Sequence, residues 1–386
     1  MPMKLTHVEL RNWRNFAHIE FDLNTRLFIV GPNASGKSNL LDALRFISDV
    51  ANAGLIEASI NKRDSFRSIV HGNAEECTLA FKFDNSALQG YELSLIQGYE
   101  PVIYDGEEVG EELADNPYIK TEDIFTADGK VHLSPHVEHM LGQEVLFAHE
   151  TALQSATLSN SFKGIRDYFT GIHYIHPNPK KMLERGRYDE HATGFTQRVA
   201  SRPDAVLQPA IARIRPILAS IVPEIPCLRH KRIGANDDII FYSDDPQKPG
   251  AFTHMRFSEG TLRILGILFE LATLPKDTSL VLIEEPELFM QPSIVRSLPD
   301  FFAAVAADRN VQMIITTHSP GLIDNELIRP DQVLMLEPTD TGTKGTLLSE
   351  SQDPRVRSFV KTGFPLSDAV DSVNRRQIPL GIWDHR

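Results

Sequence analysis

The octet Gly31-Pro32-Asn33-Ala34-Ser35-Gly36-Lys37-Ser38 satisfies the phosphate-loop pattern G-x-x-x-x-G-K-[ST] at every fixed position. The pattern has a physical reading. Glycines let the backbone wrap so that its N–H groups converge on phosphate oxygens. A lysine at position 37 reaches the β- and γ-phosphates, and the Ser38 hydroxyl is suited to Mg²⁺. The flanks fit as well. Arg26-Leu27-Phe28-Ile29-Val30 reads as a short buried strand entering the loop. Asn39 to Val50 reads as a helix with Leu40, Leu41, Leu44 and Ile47 on one face. The positive end of that helix would face a bound anion.

Three stretches far along the chain extend this reading. Ser279 to Ile283 is an apolar run suited to a buried parallel strand, and it ends in Glu284-Glu285-Pro286-Glu287. An acid at such a strand end holds the Mg²⁺ shell, and a second one beside it polarises the attacking water. Taken alone, the same residues also read as an acidic turn after a core strand. Val311 to Ile315 reads as another buried strand, running into Thr316-Thr317-His318-Ser319-Pro320, where His318 is placed to sense a γ-phosphate. Between the loop and these strands lies Phe257-Ser258-Glu259-Gly260-Thr261-Leu262-Arg263, the start of an amphipathic helix from about Thr261 to Leu274. Read alone, Ser258 is an ordinary N-cap; the helix start is also a second anion site.

The order of these parts resembles the ABC-type ATPase heads of the SMC, RecF and OLD (overcoming-lysogenisation-defect) groups, and most closely the bacterial AAA-type ATP-binding proteins related to OLD. The motifs that carry it run from the N terminus to about Gly72 and from about Phe257 to Leu336. A weaker likeness runs through Thr151-Ala152-Leu153 and Asp167-Tyr168-Phe169 to Pro177-Asn178-Pro179. The resemblance implies an α/β head in which Asn33, Ala34, Ser35, Gly36, Lys37 and Ser38 bind the triphosphate of ATP. Ser38 and Glu284, the Walker B acid, would hold Mg²⁺. Glu285 would be the catalytic acid and His318 the switch histidine. Arg11 to Phe16, with Arg11 and Asn12 foremost, would lie near adenine and ribose. Ser258 and Gly260 would be signature residues contacting the nucleotide of a second protomer. Two departures stand out. Phe289-Met290-Gln291-Pro292 replaces a common Gly-Leu-His-Pro run, and the Q-loop glutamine is open between Gln143 and Gln154.

Composition bounds the rest. The chain has 386 residues, 41% hydrophobic and 24% charged, which suits a globular protein with a large core. Two cysteines exclude a disulfide framework and fit a cytoplasmic location. No stretch reads as a leader or membrane span; the most apolar helix carries Arg263 and Glu270. The net charge of −13 opposes indiscriminate nucleic-acid binding, so any such binding is expected to be weak and salt-dependent. Alternation at Ile19, Phe21 and Leu23, at Cys77 to Phe83 and at Tyr91 to Leu95 predicts an antiparallel sheet. Asp105-Gly106 and Asp128-Gly129 mark its turns. We expect residues 1–134 to form the first part of the head, 135–225 a mostly helical insertion, and 226–386 the rest of the head with a short tail. The insertion lacks the heptads of a long coiled coil.

His132, His136, Glu138 and His139 read as a solvated segment rather than a metal site. Arg229-His230-Lys231-Arg232 reads as a charged strand edge. Lys180, Lys181, Arg185 and Arg187 are the better nucleic-acid candidate. The tail from Arg355 to Arg386 is expected to be too short for a nuclease domain like that of full-length OLD proteins. The resemblance therefore implies an ATP-sandwiched homodimer acting as a switch in anti-phage defence, with a separate toxin or nuclease as effector. The alternatives are a RecF-like repair ATPase on DNA and a nucleotide-gated scaffold with little hydrolysis.

Overall fold

Arg26–Val30 (β3) is apolar on both faces because it is an interior strand. It pairs in parallel with Gln312–Thr316 (β13) on one side and Val333–Thr339 (β14) on the other. In the computed structural model, which describes residues 3–104, 107–133, 150–154, 162–222, 225–234, 238–243 and 252–374, these belong to a six-stranded sheet. Its order is β15-β14-β3-β13-β12-β8, with Leu280–Glu284 as β12, Ile172–Ile175 as β8 and Gly342–Leu347 as β15. Every neighbour is parallel except the β14–β15 hairpin. The C-terminal ends of β3, β13, β12 and β8 therefore share one edge, where ligands of open α/β sheets bind.

A second six-stranded sheet is antiparallel, in the order β2-β1-β4-β5-β6-β7. It comprises Leu5–Trp13 (β1), Phe16–Asp22 (β2), Glu76–Phe83 (β4), Leu88–Tyr104 (β5), Glu107–Thr126 (β6) and Gly129–His132 (β7). The helix after the phosphate loop, Lys37–Ala53 (α1), lies between the sheets. Its Leu40, Leu41, Leu44 and Ile47 join Leu27 and Ile29 of β3 and Leu79 and Phe81 of β4 in one core. Phe28 and Val30 point the other way, into a second core, as strand alternation requires. A buried glutamine ties the sheets together: Gln312 exchanges hydrogen bonds with the backbone of Leu5 at 2.8 Å in both directions, and accepts one from the Tyr168 hydroxyl at 3.0 Å.

The second core is covered by helices: Pro179–Met182 (α3), Phe195–Ala200 (α4), Asp204–Ile221 (α5), Glu259–Ala272 (α6) and Pro292–Arg309 (α7). A small sheet, β11-β10-β9, made of Leu228–Ile233 (β9), Asp238–Ser243 (β10) and Phe252–Thr253 (β11), packs beside α4 and α5. The charged run at residues 229–232 occupies its edge strand β9. Pro320–Ile323 (α8), Pro354–Thr362 (α9) and Leu366–Asn374 (α10) close the chain, and Asp324 fixes α10 by accepting the Ser367 amide at 2.8 Å and its hydroxyl at 2.7 Å.

The segment expected to be a mostly helical insertion holds Lys163–Thr170 (α2), α3 to α5 and one short strand, β8. Helix α2 packs on α1, and β8 enters the central sheet beside β12. Aromatic packing explains the return: the Phe169 ring lies 5.1 Å from Phe81 and 5.5 Å from Tyr91, centroid to centroid. The Asp128-Gly129 turn is found between β6 and β7, whereas Asp105-Gly106 lies outside the described residues.

Candidate functional site

The phosphate loop leaves β3 and winds into α1 through Gly36, which has φ 95 and is the α1 N-cap. A Cβ at Gly36 would fall 2.1 Å from the Asn15 amide nitrogen, so only glycine fits. Asn15 comes from the turn between β1 and β2. It donates to the Ser35 carbonyl at 3.1 Å and to Thr343 Oγ1 at 2.7 Å, and accepts from Asn39 at 2.8 Å. The loop is thus braced from both ends of the chain. Asn33 and Ala34 are exposed at its tip, Ala34 with φ 61. With glycine as the N-cap, no side chain covers the first-turn amides of α1, which stay open to an anion.

Lys37 is 5% exposed, and its ammonium donates to the carbonyls of Gly31 and Pro32, both at 3.1 Å. Burial lowers its pKa, and the facing Glu285, Glu287 and Glu284 pull in the opposite direction. Ser38 Oγ donates to Glu284 Oε1. The other oxygen of Glu284 accepts from the Tyr174 hydroxyl and lies 3.2 Å from His176 Nδ1. Burial by itself would raise the Glu284 pKa; the hydrogen bonds from His176, Ser38 and Tyr174 outweigh it and hold the carboxyl at about 2. Tyr174 moves the other way, its pKa raised by burial and by Glu284, so it remains a donor. Ser38 and Glu284 are hard oxygen donors in contact with each other, the donor chemistry that Mg²⁺ takes.

Glu285, with φ 43, is held by its amide on the Thr316 carbonyl at 3.0 Å. Its carboxylate Oε1 lies 3.0 Å from His318 Nε2. The two residues expected to act on the attacking water and the γ-phosphate are therefore in contact. Glu287, given no role in the sequence reading, organises the loop carrying His318: its Oε1 accepts the Thr317 hydroxyl and the His318 amide, both at 2.7 Å. Arg263 was likewise without a role. It is 1% exposed and donates to the carbonyls of Pro177 at 2.5 Å and of Glu284 and Glu285 at 3.0 Å. The helix that begins at Ser258 is thereby fastened to the end of β12.

Ser258 caps α6, its Oγ accepting the Thr261 amide at 3.1 Å. Gly260 is required by close approach: a Cβ there would lie 2.2 Å from the Phe289 carbonyl. Ser258 and Gly260 line a groove of about 350 Å³ with Arg256, Phe289 and Met290, and Lys37, Ser38, Glu284 and Glu285 do not line it. Within one chain Ser258 and Gly260 thus face a different opening from the phosphate loop.

The stretch expected near adenine and ribose runs from the end of β1 through the turn into β2. Arg11 is held by Glu9 at 2.7 Å on its own strand, and the residue of that stretch that reaches the loop is Asn15. Gln154 is excluded as a glutamine of the metal site. It packs against Gly54, the C-cap of α1, and the 17 residues of that helix put it about 25 Å from Lys37. Gln143 lies outside the described residues, as do His136, Glu138 and His139; His132 pairs with Asp123. Of the second basic cluster, Lys180 and Lys181 are exposed, and Arg185 is paired with Asp238 at 2.9 Å.

A family model described as "AAA domain, putative AbiEii toxin, Type IV TA system" matches residues 27–127 and 141–324. The chain belongs to this AAA-domain family. A second model, the P-loop containing region of an AAA domain, matches residues 5–48 of this AAA-domain chain. Endonuclease GajA of Bacillus cereus (strain VD045) is 33% identical over 69 residues, 17% of this chain and 12% of GajA. The DNA replication and repair protein RecF of Lactococcus lactis subsp. cremoris (strain MG1363) is 43% identical over 47 residues, 12% of this chain and 13% of RecF. The chain thus spans about an eighth of the curated relatives it matches. A solved SMC head bound to the C-winged helix domain of ScpA superposes with a TM-score of 0.51 at 12% identity, over 89% of this chain and 97% of the other. Family, relatives and fold agree on a P-loop ATPase domain of the SMC/RecF-like ABC type. Among the described residues, no helix is long and apolar enough to cross a membrane.

Proposed function

We propose that this AAA-domain protein binds and hydrolyses ATP with Mg²⁺, closing as a dimer around two nucleotides and opening after hydrolysis. The observation that carries the reading is the meeting of Lys37, Ser38, Glu284, Glu285 and His318, from three separate stretches of chain, at one edge of the parallel sheet. Lys37 and the open amides of α1 bind the phosphates. Ser38 and Glu284 hold Mg²⁺, which when bound offsets phosphate charge. Glu285 accepts the proton of the attacking water at Oε1 or Oε2, and His318, in contact with it, orients the carboxylate against the γ-phosphate. Ser258 and Gly260 of a second copy complete the site, consistent with their facing a separate groove.

The cycle is read as a switch in anti-phage defence with a separate toxin or nuclease as effector in the cytoplasm. The family description, which names a putative toxin, and the likeness to an endonuclease support it. The likeness to RecF favours a second reading, a DNA-repair ATPase. Calorimetric ATP titration and phosphate release test the core of the proposal. Lys37→Ala is expected to abolish binding. Glu285→Gln is expected to keep binding and lower turnover by about 10²–10⁴-fold, and to accumulate an ATP-dependent dimer in light scattering that Ser258→Arg prevents. Full turnover by Glu285→Gln would remove the catalytic assignment. A pull-down with and without Mg²⁺-ATP separates the two roles: recovery of replication or repair proteins supports the second.

A further inference from the structure

β8 is four residues long, and its register beside β12 sets His173 opposite Val281, Tyr174 opposite Leu282 and Ile175 opposite Ile283. The next residue, His176, therefore arrives level with Glu284. On that carboxylate the two oxygens have separate partners. Oε1 accepts from Ser38, while Oε2 is held by the Tyr174 hydroxyl and His176 Nδ1. The holders are themselves braced. The Arg45 guanidinium sits 4.0 Å from the centre of the Tyr174 ring and is paired with Glu190. His176 packs against His191 at 5.7 Å between ring centres, and its Nδ1 lies 3.3 Å from the Tyr174 hydroxyl.

A free carboxylate at a strand end can rotate and offer either oxygen. This one cannot do so without breaking two contacts. We propose that Tyr174 and His176 are the positioning residues of the metal–nucleotide site: from β8 they hold one oxygen of Glu284 so that the other is presented beside Ser38. The inference rests on the ATP and Mg²⁺ reading above and adds to it one residue of the adjacent strand β8 and the residue that follows it. Glutamine has no part in it, and Gln154 is at the far end of α1.

The roles divide as follows. Tyr174 supplies a neutral hydroxyl whose ring stays anchored under Arg45, so Tyr174→Phe removes the hydrogen bond and keeps the shape. His176 contacts Glu284 through Nδ1, so His176→Asn offers an amide nitrogen at a similar reach, and His176→Ala offers nothing. Because both act on the same oxygen, their effects are coupled and not additive.

The test uses the whole chain and two probes, ADP and Mn²⁺. ADP affinity is measured by calorimetry in EDTA, and Mn²⁺ affinity of the ADP complex by electron paramagnetic resonance of the free ion. Tyr174→Phe and His176→Ala are each expected to weaken Mn²⁺ binding by about tenfold or more, the range for groups that orient a metal ligand. ADP binding in EDTA should stay within about twofold, which also reports that the pocket is folded. His176→Asn should recover part of the loss, and the double variant should fall short of the summed effect. Mn²⁺ affinity unchanged in both single variants overturns the proposal. So does an equal loss of metal-free ADP binding, which would mark general damage to the pocket. A wild-type chain that binds ADP in EDTA but takes up no Mn²⁺ also overturns it. If the wild-type chain binds no ADP at all, the nucleotide reading itself falls.

Discussion

The two six-stranded sheets are assembled in opposite ways. The antiparallel sheet is built mostly from strands consecutive in sequence, joined by hairpins, with α1 packed on one face. The parallel sheet collects β3, β8, β12, β13 and β14 from residues 26 to 339. Both supply apolar core, but the residues assigned to chemistry stand almost wholly on the parallel sheet and at one edge of it. Only a parallel sheet brings the C-terminal ends of distant segments together. The antiparallel sheet contributes support, most directly through Asn15, at the turn between two of its strands. Damage to one sheet should therefore read out mainly as stability, and damage to the mouth of the other as binding.

The largest effect expected on the antiparallel side comes from Phe81→Ala. Phe81 is 1% exposed and meets Phe169 edge-on at 5.1 Å. Its loss should lower unfolding free energy by about 4 kcal/mol, seen as a lower urea midpoint at unchanged slope. ATP affinity of the folded protein should stay as in wild type; a parallel fall in affinity would break the division.

Asp42→Asn probes α1, the helix shared by both sheets. Asp42 accepts from Arg63 and Arg14, and Arg63 is nearly buried. Burial opposes ionisation of Asp42, yet the Arg63 and Arg14 guanidinium groups outweigh it and hold the carboxyl below its ordinary 3.8. The stabilisation that this lowered pKa represents is fully present above the ordinary value and is lost as pH falls from there through the lower folded-state pKa. We expect Asp42→Asn to cost about 3 kcal/mol at neutral pH. The variant should also lose stability less steeply than wild type between about pH 5 and pH 3, measured by urea titration at each pH.

Asn15→Ala should have the smallest effect and cross the divide. It removes the brace on the Ser35 carbonyl and on Asn39, for about 1 kcal/mol of stability and about tenfold in ATP affinity. Calorimetry checks the second figure. A stability change without any change in affinity would confine Asn15 to the scaffold.

What the sequence disclosed follows the same division. Alternation over Cys77 to Phe83 and Tyr91 to Leu95 marked antiparallel strands because one face is buried and the period is local. The phosphate loop, β12, β13 and the start of α6 were legible because motif residues sit at their ends. β8 was not: Ile-His-Tyr-Ile is too short to show a period, and its partner β12 lies more than a hundred residues away. Tyr174 and His176 were hidden with it. Arg263 and Glu287 were quoted within motifs but without roles, since both act on backbone carbonyls, amides or a neighbouring loop that only the folded chain brings near. In the stretch Arg11 to Phe16, Asn15 carries the contact with the loop, a side-chain bond to the Ser35 carbonyl that no local pattern announces.

β8 has one more consequence, for how the chain tolerates change in length. Its consecutive side chains answer to different structures: His173 lies 3.1 Å from the buried Glu270 of α6, and Tyr174 meets Glu284 of β12. A single inserted or deleted residue between Gly171 and Pro177 would turn the strand over, sending each side chain to the wrong address. The β5–β6 hairpin already contains several register shifts and can absorb another. Length variation should therefore collect in that hairpin, while the spacing from Gly171 to Pro177 stays fixed.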